Sequence, residues 1–142
     1  MKKTFLILSA ILLFISCDKS VTNSIFVSNS SELIEATKNA KAGDHIIIKN
    51  GTYNNVALQF IGEGTKENPI KLSAETAGQV FLEGTSSLEI SGNYLNVSGL
   101  FFINGYSPKD NVIAFRTGTK KVANNSSVRN CVILDYNSLE RD

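Results

Sequence analysis

The basic residues that could contact an acidic ligand lie close together in one polar stretch. Arg116, Lys120 and Lys121 fall in a segment that also carries Gly118 but few apolar residues. Guanidinium and ammonium groups bind carboxylates, so these three side chains could contact the acid groups of a ligand. The alternative is that they are ordinary solvated surface charges. The stretch therefore predicts a substrate-binding surface and assigns no catalytic residue.

Acid–base catalysis and metal binding have less support. His45 follows Asp44, a pair that could exchange protons, although a structural or surface histidine explains the same pattern. His45 is the single histidine, which excludes a multi-histidine metal centre. Glu83 and Glu89 could bind a cation, but they lie on separate predicted strands without the Asp and Asn residues of a calcium loop. We predict no catalytic residue and no bound metal in this chain.

The first residues have the features of an export signal. Lys2 and Lys3 precede an apolar run over residues 5–15, which is too short to span a bilayer as a helix. Because the run ends just before Cys17, the segment resembles a lipoprotein signal, with lipid attached to Cys17 and residues 18–24 as a linker. An uncleaved anchor or an ordinary signal peptide is the alternative. We expect an exported protein, anchored by lipid to a bacterial membrane in the periplasm or at the cell surface.

Charge and cysteine content exclude several classes of function. Loss of the two lysines of the signal would leave 12 basic against 13 acidic side chains, so nothing indicates a nucleic acid partner. With Cys17 lipidated, Cys131 would be the one remaining cysteine. A disulfide framework or a cysteine metal site within the chain is therefore excluded.

One helix and a series of strands are predicted between residues 25 and 142. Apolar residues at positions 33, 36 and 40 share one helical face, and Asn29 can cap the start with Glu32 three residues later. Gly43 can end the helix. Strands are predicted over residues 45–49, 56–60, 70–74, 79–83, 88–91, 94–97, 100–103, 112–115 and 128–134.

Apolar residues recur along these strands at similar spacings. A repeat of this size indicates a solenoid, whose units cannot bury their apolar side alone and stack on their neighbours. The spacing of 31 in the last repeat predicts an insertion of about seven residues, within 107–111 or 118–125. Ile46 and Ile48 recur after 24 residues as Ile70 and Leu72, which recur after 25 more as Leu95 and Val97. Val56 and Leu58 recur after 24 residues as Val80 and Leu82. Residues 97–104 match residues 128–135, which lie 31 residues further along the chain.

Gly99 and Asn130 stand at equivalent positions of two repeats, each between two apolar runs. Both residue types readily adopt positive φ, so either can bend an extended chain without forming a hairpin. We therefore predict an all-β fold, a right-handed parallel β-helix with a capping helix. An antiparallel sandwich is the alternative, but continuously apolar segments such as 100–103 favour parallel strands covered on both sides. The residues expected to stack inside the coils are Val97, Leu100 and Phe102, with Val128, Cys131 and Ile133 over them.

Three segments carry a family resemblance. They cover residues 32–53, which begin with EL and end with AKAGDHIIIKNGTY, then GTKENPIKL at 64–72 and GNYLNVSGLFF at 92–102. In this order they resemble the opening coils of the alginate lyase and chondroitinase B family, which is polysaccharide lyase family six. The resemblance extends from about residue 25 to residue 137.

The resemblance implies β-elimination on an acidic, uronate-containing polysaccharide, with alginate the first expectation and chondroitin or dermatan sulfate the second. It also implies that calcium assists a lysine base and an arginine in the full-length family enzyme. None of those motifs is present before Asp142, so we expect an N-terminal fragment that lacks the catalytic region. A non-catalytic carbohydrate-binding or surface β-helix and another β-helix enzyme, such as a pectin hydrolase, are the alternatives.

Overall fold

The computed structural model of the protein describes residues 22–108 and 111–136. The predicted export signal, its lipidated Cys17 and most of the linker over 18–24 lie outside these residues and stay predictions. Within the described ranges, no helix is long and apolar enough to cross a bilayer.

The described residues form one helix and a succession of short strands. The helix α1 is Ser30–Asn39. The strands are β1 (Asn23–Val27), β2 (Asp44–Ile48), β3 (Gly51–Asn54), β4 (Ala57–Glu63), β5 (Ile70–Ala74), β6 (Val80–Gly84), β7 (Ser87–Asn93), β8 (Leu95–Ser98), β9 (Phe101–Gly105), β10 (Ile113–Ala114), β11 (Arg116–Gly118), β12 (Lys121–Asn124), β13 (Ser127–Arg129) and β14 (Val132–Tyr136).

The strands form three sheets that run along the sides of a solenoid. The first sheet has the order β1-β2-β5-β8-β13 and the second the order β14-β9-β6-β3. The third sheet contains β4, β7, β10 and β12, with β11 attached to β12. Each coil passes through the three sheets in turn, and neighbouring coils pair in parallel; only β11 and β12 pair antiparallel among the described strands. The predicted parallel β-helix is confirmed.

In the later coils of the first sheet, the register agrees with the sequence repeat. Between its first two repeating strands, β2 and β5, the register differs from the repeat. Leu72 lies beside Val97, and Val97 lies beside Val128, as predicted. The predicted pairing of Ile46 with Ile70 is wrong, because Ile46 lies beside Leu72. A shift of two residues keeps the inward faces aligned, so the alternation of apolar residues cannot distinguish the two registers.

The predicted match between Leu58 and Leu82 is also wrong, because these residues belong to different sheets. Leu58 lies beside Leu88 in the third sheet, and Leu82 lies beside Tyr53 in the second. The strand that holds Tyr53 was not predicted from the sequence. Tyr53 is its one buried side chain, so β3 lacks the apolar pattern that marks the other strands.

The interior of the coils is filled by apolar side chains that alternate with outward polar ones. Helix α1 covers one end of this core, where Leu33 is fully buried and the helix packs against β4. The core consists of Val27, Leu33, Ile46, Ile48, Tyr53, Val56, Leu58, Phe60, Ile70, Leu72, Val80, Leu82, Leu88, Ile90, Leu95, Val97, Leu100 and Phe102.

The helix begins as predicted and ends earlier. The Asn29 side chain accepts a hydrogen bond from the Glu32 amide at 2.9 Å, which confirms the N-cap. The Glu32 carboxylate accepts from the Ser28 amide at 2.8 Å, one residue before the cap. The prediction that Gly43 ends the helix is wrong, because Ala40 is already extended.

The corner between the first and second sheets has the predicted conformation. Gly99 has a φ of 79° and Asn130 a φ of 52°, so both take the left-handed backbone region. The strand predicted over 128–134 is therefore two strands, β13 and β14, separated by Asn130.

The side chains predicted to stack inside the last described coil have the predicted register, but they are not fully buried. Ile133 lies beside Phe102 and remains 52% exposed, because among the described residues no further coil covers it. Cys131 packs partly against the core and forms no disulfide with a described residue; its thiol donates to the Arg129 carbonyl at 3.4 Å, and burial raises the pKa of that thiol.

Candidate functional site

The outer face of the third sheet is interrupted by a hairpin. Ile113 lies beside Leu88, a spacing of 25 residues, whereas Ala123 lies beside Gly92, a spacing of 31. Six extra residues are therefore accommodated between Ala114 and Ala123, where β11 and β12 turn back on each other. The predicted insertion of about seven residues is confirmed, and the register places it in a segment that overlaps 118–125.

Hydrogen bonds hold the hairpin against the coil. The Ser91 and Thr117 hydroxyls lie 2.9 Å apart, which ties β11 to β7 of the preceding coil. The Ala123 amide donates to the Phe115 carbonyl at 3.0 Å and closes the base of the hairpin. The hairpin is thus attached at its base and along β11, and its turn residues Thr119 and Lys120 are exposed.

A cleft lies between the hairpin turn and the end of the third sheet. This hairpin cleft has a volume of about 400 Å³, and Lys120 and Lys121 line it together with Glu63 and Asn93. The Asn93 amide donates to the Glu63 carboxylate at 2.7 Å. The half-exposed Ile61 adds an apolar surface beside these polar groups. Two ammonium groups beside an apolar patch suit a ligand that carries both carboxylates and non-polar ring faces.

Arg116 lies in a different, smaller cleft. This arginine cleft has a volume of about 210 Å³ and also contains Glu89 and Thr117. The Glu89 carboxylate accepts a hydrogen bond from the Gln59 amide at 3.2 Å. The three basic residues singled out from the sequence are therefore divided, with Lys120 and Lys121 together and Arg116 in the smaller cleft.

The possible acid–base pair of His45 and Asp44 does not form. Asp44 accepts hydrogen bonds from the Lys41 amide at 2.8 Å and from the Asn23 side chain at 3.2 Å. His45 points to the opposite face of β2, where its Nε2 lies 2.8 Å from the Ser73 hydroxyl. Burial, and secondarily the charge of Lys71, lower the pKa of His45, so the imidazole is neutral at neutral pH.

The two glutamates considered for cation binding are also apart. Glu83 is on β6 of the second sheet and accepts a hydrogen bond from the Asn104 side chain at 3.2 Å. Glu89 is on β7 of the third sheet. Within residues 22–108 and 111–136, no three His, Cys, Asp or Glu side chains group in a way that could hold a metal ion. The described residues therefore offer no cluster of carboxylates that fits a calcium site.

Sequence reasoning missed two basic residues on another surface. Lys71 and Arg129 both lie on the outer face of the first sheet, in one groove with His45. Their alternation with buried neighbours was visible in the sequence, but they share a surface only because of the register between coils.

Comparison with known proteins identifies the family. The family model described as chondroitinase B matches residues 27–142. The chain belongs to the chondroitinase B family. No curated protein matches it in sequence.

Several solved structures of family-six polysaccharide lyases resemble the chain. The alginate lyase AlyGC is 41% identical with a TM-score of 0.74, over 78% of this chain and 15% of AlyGC. A family-six lyase from Pseudopedobacter saltans is 36% identical with a TM-score of 0.68, over 77% of this chain and 24% of that protein. A mannuronic acid specific family-six lyase from human gut microbiota is 26% identical with a TM-score of 0.71, over 79% and 26%. The chain thus spans about a quarter or less of the length of these relatives.

Proposed function

We propose that this chain supplies the first coils of a polysaccharide lyase that cleaves uronate-containing chains, with alginate as the first candidate and chondroitin or dermatan sulfate as the second. The observation that carries the proposal is the family match over residues 27–142. The 41% identity to the alginate lyase AlyGC supports the choice of alginate. The two lysines of the hairpin cleft support an acidic substrate.

The reaction proposed for the whole protein is β-elimination. A base removes the proton at C5 of the uronate, the bond between C4 and its glycosidic oxygen breaks, and that oxygen leaves with a proton as a hydroxyl group. The product then has a double bond between C4 and C5. We assign no base to the described residues, and calcium belongs to the proposal only for the whole enzyme. The coils of this chain would bind and orient the polymer.

The role proposed for Lys120 and Lys121 is to contact sugar carboxylates in the hairpin cleft. Both side chains are exposed, and neither has an ion-pair partner among the described residues. Exposed charge pairs contribute about 0.2 to 1 kcal/mol each, so losing both should weaken binding by about twofold to thirtyfold. Arg116 would contact the same polymer at the arginine cleft.

A chimera tests this function. The chain replaces the matching coils of AlyGC, and the chimera and the chain alone are incubated with alginate and with dermatan sulfate while the ultraviolet absorbance of the unsaturated product is followed. We expect cleavage of alginate by the chimera and none by the chain alone. In the chimera, Lys120→Ala combined with Lys121→Ala should raise KM by about twofold to thirtyfold and leave kcat nearly unchanged.

Lys38→Ala provides the matched control, because Lys38 is an exposed lysine on α1. Its KM should equal that of the unsubstituted chimera. Cleavage by the chain alone would place the catalytic groups in this chain and contradict the proposal. A folded chimera that binds alginate without cleaving it would favour a non-catalytic carbohydrate-binding β-helix.

A further inference from the structure

The outer face of the first sheet carries polar side chains in two parallel rows. In one row, His45 lies beside Lys71, Lys71 beside Asn96, and Asn96 beside Ser127. The rows run along the solenoid axis because each strand belongs to a successive coil. In the second row, Ser73, Ser98 and Arg129 lie beside one another.

These rows line an open groove of about 400 Å³, which we call the first-sheet groove. Its lining includes Lys71 and Arg129, and His45, but no carboxylate. Among the described residues, Lys49 and Glu75 form an ion pair at the corner of the sheet. This pair does not involve Lys71 or Arg129. Neither groove cation therefore forms an ion pair with a described residue.

Neutral hydrogen-bonding groups occupy the rest of the groove. The Ser127 hydroxyl donates to Oδ1 of Asn96 at 2.8 Å, which directs the amide nitrogen of Asn96 away from that bond. Ser73 is held by His45 at 2.8 Å. An array of hydroxyl and amide groups between two cations suits a ligand with many hydroxyls and spaced negative charges.

We propose that the first-sheet groove is a second binding site for an acidic polysaccharide, in which sugar carboxylates contact Lys71 and Arg129. The inference rests on the proposed function for the identity of the polymer. Lys71 is on β5 and Arg129 on β13, two strand spacings apart, so a bound segment extends about 10 Å along the axis to reach both. Two cations about 10 Å apart in one groove suit a chain with spaced carboxylates better than a single small anion.

The second site is separate from the clefts beside the hairpin. Those clefts lie on the third sheet, whereas the first-sheet groove lies on another side of the solenoid. One polymer molecule, or two, could therefore occupy both surfaces. When two sites on one protein bind the same long polymer, the protein binds that polymer more tightly than it would through either site alone.

His45 provides a specific reporter of occupancy. It is the only histidine of the chain, so an untagged protein gives one imidazole C2–H signal in a proton NMR spectrum. The charged group that faces it is Lys71 on β5, and Ser24 on β1 is uncharged. A carboxylate bound beside Lys71 should shift this signal and raise the pKa of His45, because a nearby negative charge favours the imidazolium form.

The experiment titrates the untagged chain with short alginate oligosaccharides and follows the His45 signal. We expect a saturable shift, and an affinity about tenfold lower in a protein with Lys71→Ala and Arg129→Ala. Lys38→Ala is the matched control and should bind like the unsubstituted protein. Lys120→Ala with Lys121→Ala should also leave the His45 shift unchanged, which separates this groove from the hairpin cleft.

Three results would overturn the proposal. One is a His45 signal that does not move with alginate oligosaccharides. Another is an affinity that is unchanged in the double variant, and the third is an equal response to neutral oligosaccharides of the same length or to sulfate at matched charge. Cleavage is measured separately on the chimera, so loss of the lyase proposal and loss of this site are distinguishable.

Discussion

The outer faces of the first and third sheets are made by the same coils and carry basic residues in different ways. On the first sheet, parallel strands continue through β13, and Lys71 and Arg129 lie on one regular, open surface. On the third sheet, the six-residue insertion forms a hairpin, and Lys120 and Lys121 lie in a cleft beside its turn. On the first sheet, the pattern of charges thus follows from the register between coils. On the third sheet, the cleft is present because one insertion forms a hairpin.

The largest effect should come from the close approach of two coils beneath the third-sheet face. A Cβ added at Gly92 would lie 1.9 Å from the Gly62 carbonyl oxygen, and Gly92 has a φ of 118°. Gly92→Ala should lower the free energy of unfolding by at least about 3 kcal/mol, since a backbone atom cannot move aside as a side chain can. Urea denaturation followed by circular dichroism measures the change.

Gly118→Ala is the control for this prediction, because a Cβ there meets nothing within 4 Å and the residue lies in the hairpin. It should change the free energy of unfolding by no more than about 0.5 kcal/mol. An equal decrease in the free energy of unfolding of the two variants would mean that the hairpin is packed as tightly as the coil. The proposed difference between the hairpin and the coil would then be wrong.

A smaller effect is expected at the corner that the first sheet shares with the second. Gly99 has a φ of 79°, and Asn130 takes the same region in the next coil. Gly99→Val should destabilise the protein by about 1 to 2 kcal/mol more than Gly99→Asn, since a β-branched side chain is poorly tolerated at positive φ. Thermal or urea denaturation of both variants tests the order, and the reverse order would show that the corner does not require this conformation.

The smallest effect concerns the pH dependence of the first-sheet face. Burial and Lys71 lower the pKa of His45 below its ordinary value of 6.5. The unfolded chain therefore binds the proton more readily, and the stabilisation present above pH 6.5 is lost as the pH falls from there toward the lowered pKa. Denaturant midpoints measured above and below this window should differ more for the protein than for His45→Gln. The same pH dependence in both would show that His45 does not contribute.

Several features of the fold could be predicted because local chemistry decides them. The cap at Asn29, the left-handed conformations of Gly99 and Asn130 and the presence of an insertion all follow from residue type or spacing over a few positions. The strand β3 was missed because a single buried tyrosine gives no alternating pattern. Helix α1 ended early because Ala40 becomes extended without a glycine, which no sequence signal marks.

The candidate binding surfaces were predicted less completely. Lys120 and Lys121 were singled out because they lie in a polar stretch, and the structure places both in one cleft, while their role in binding stays a prediction. Arg116 was grouped with them by proximity in the chain, but the turn of the hairpin directs it into another cleft. Lys71 and Arg129 are far apart in sequence, so no local pattern could join them.

By itself, the sequence determined that this chain stacks parallel coils around an apolar interior, with positive-φ residues at a recurrent corner. Those features depend on the alternation of apolar and polar residues and on the steric freedom of Gly and Asn, which act within a few residues. Only the tertiary structure decided which coil positions are neighbours, as the pairing of Ile46 with Leu72 demonstrates. The reason is that a shift of two residues preserves every inward side chain, while corners of variable length change the register between coils. The polar residues that share an outer face, and hence the proposed binding surfaces, are set by that register.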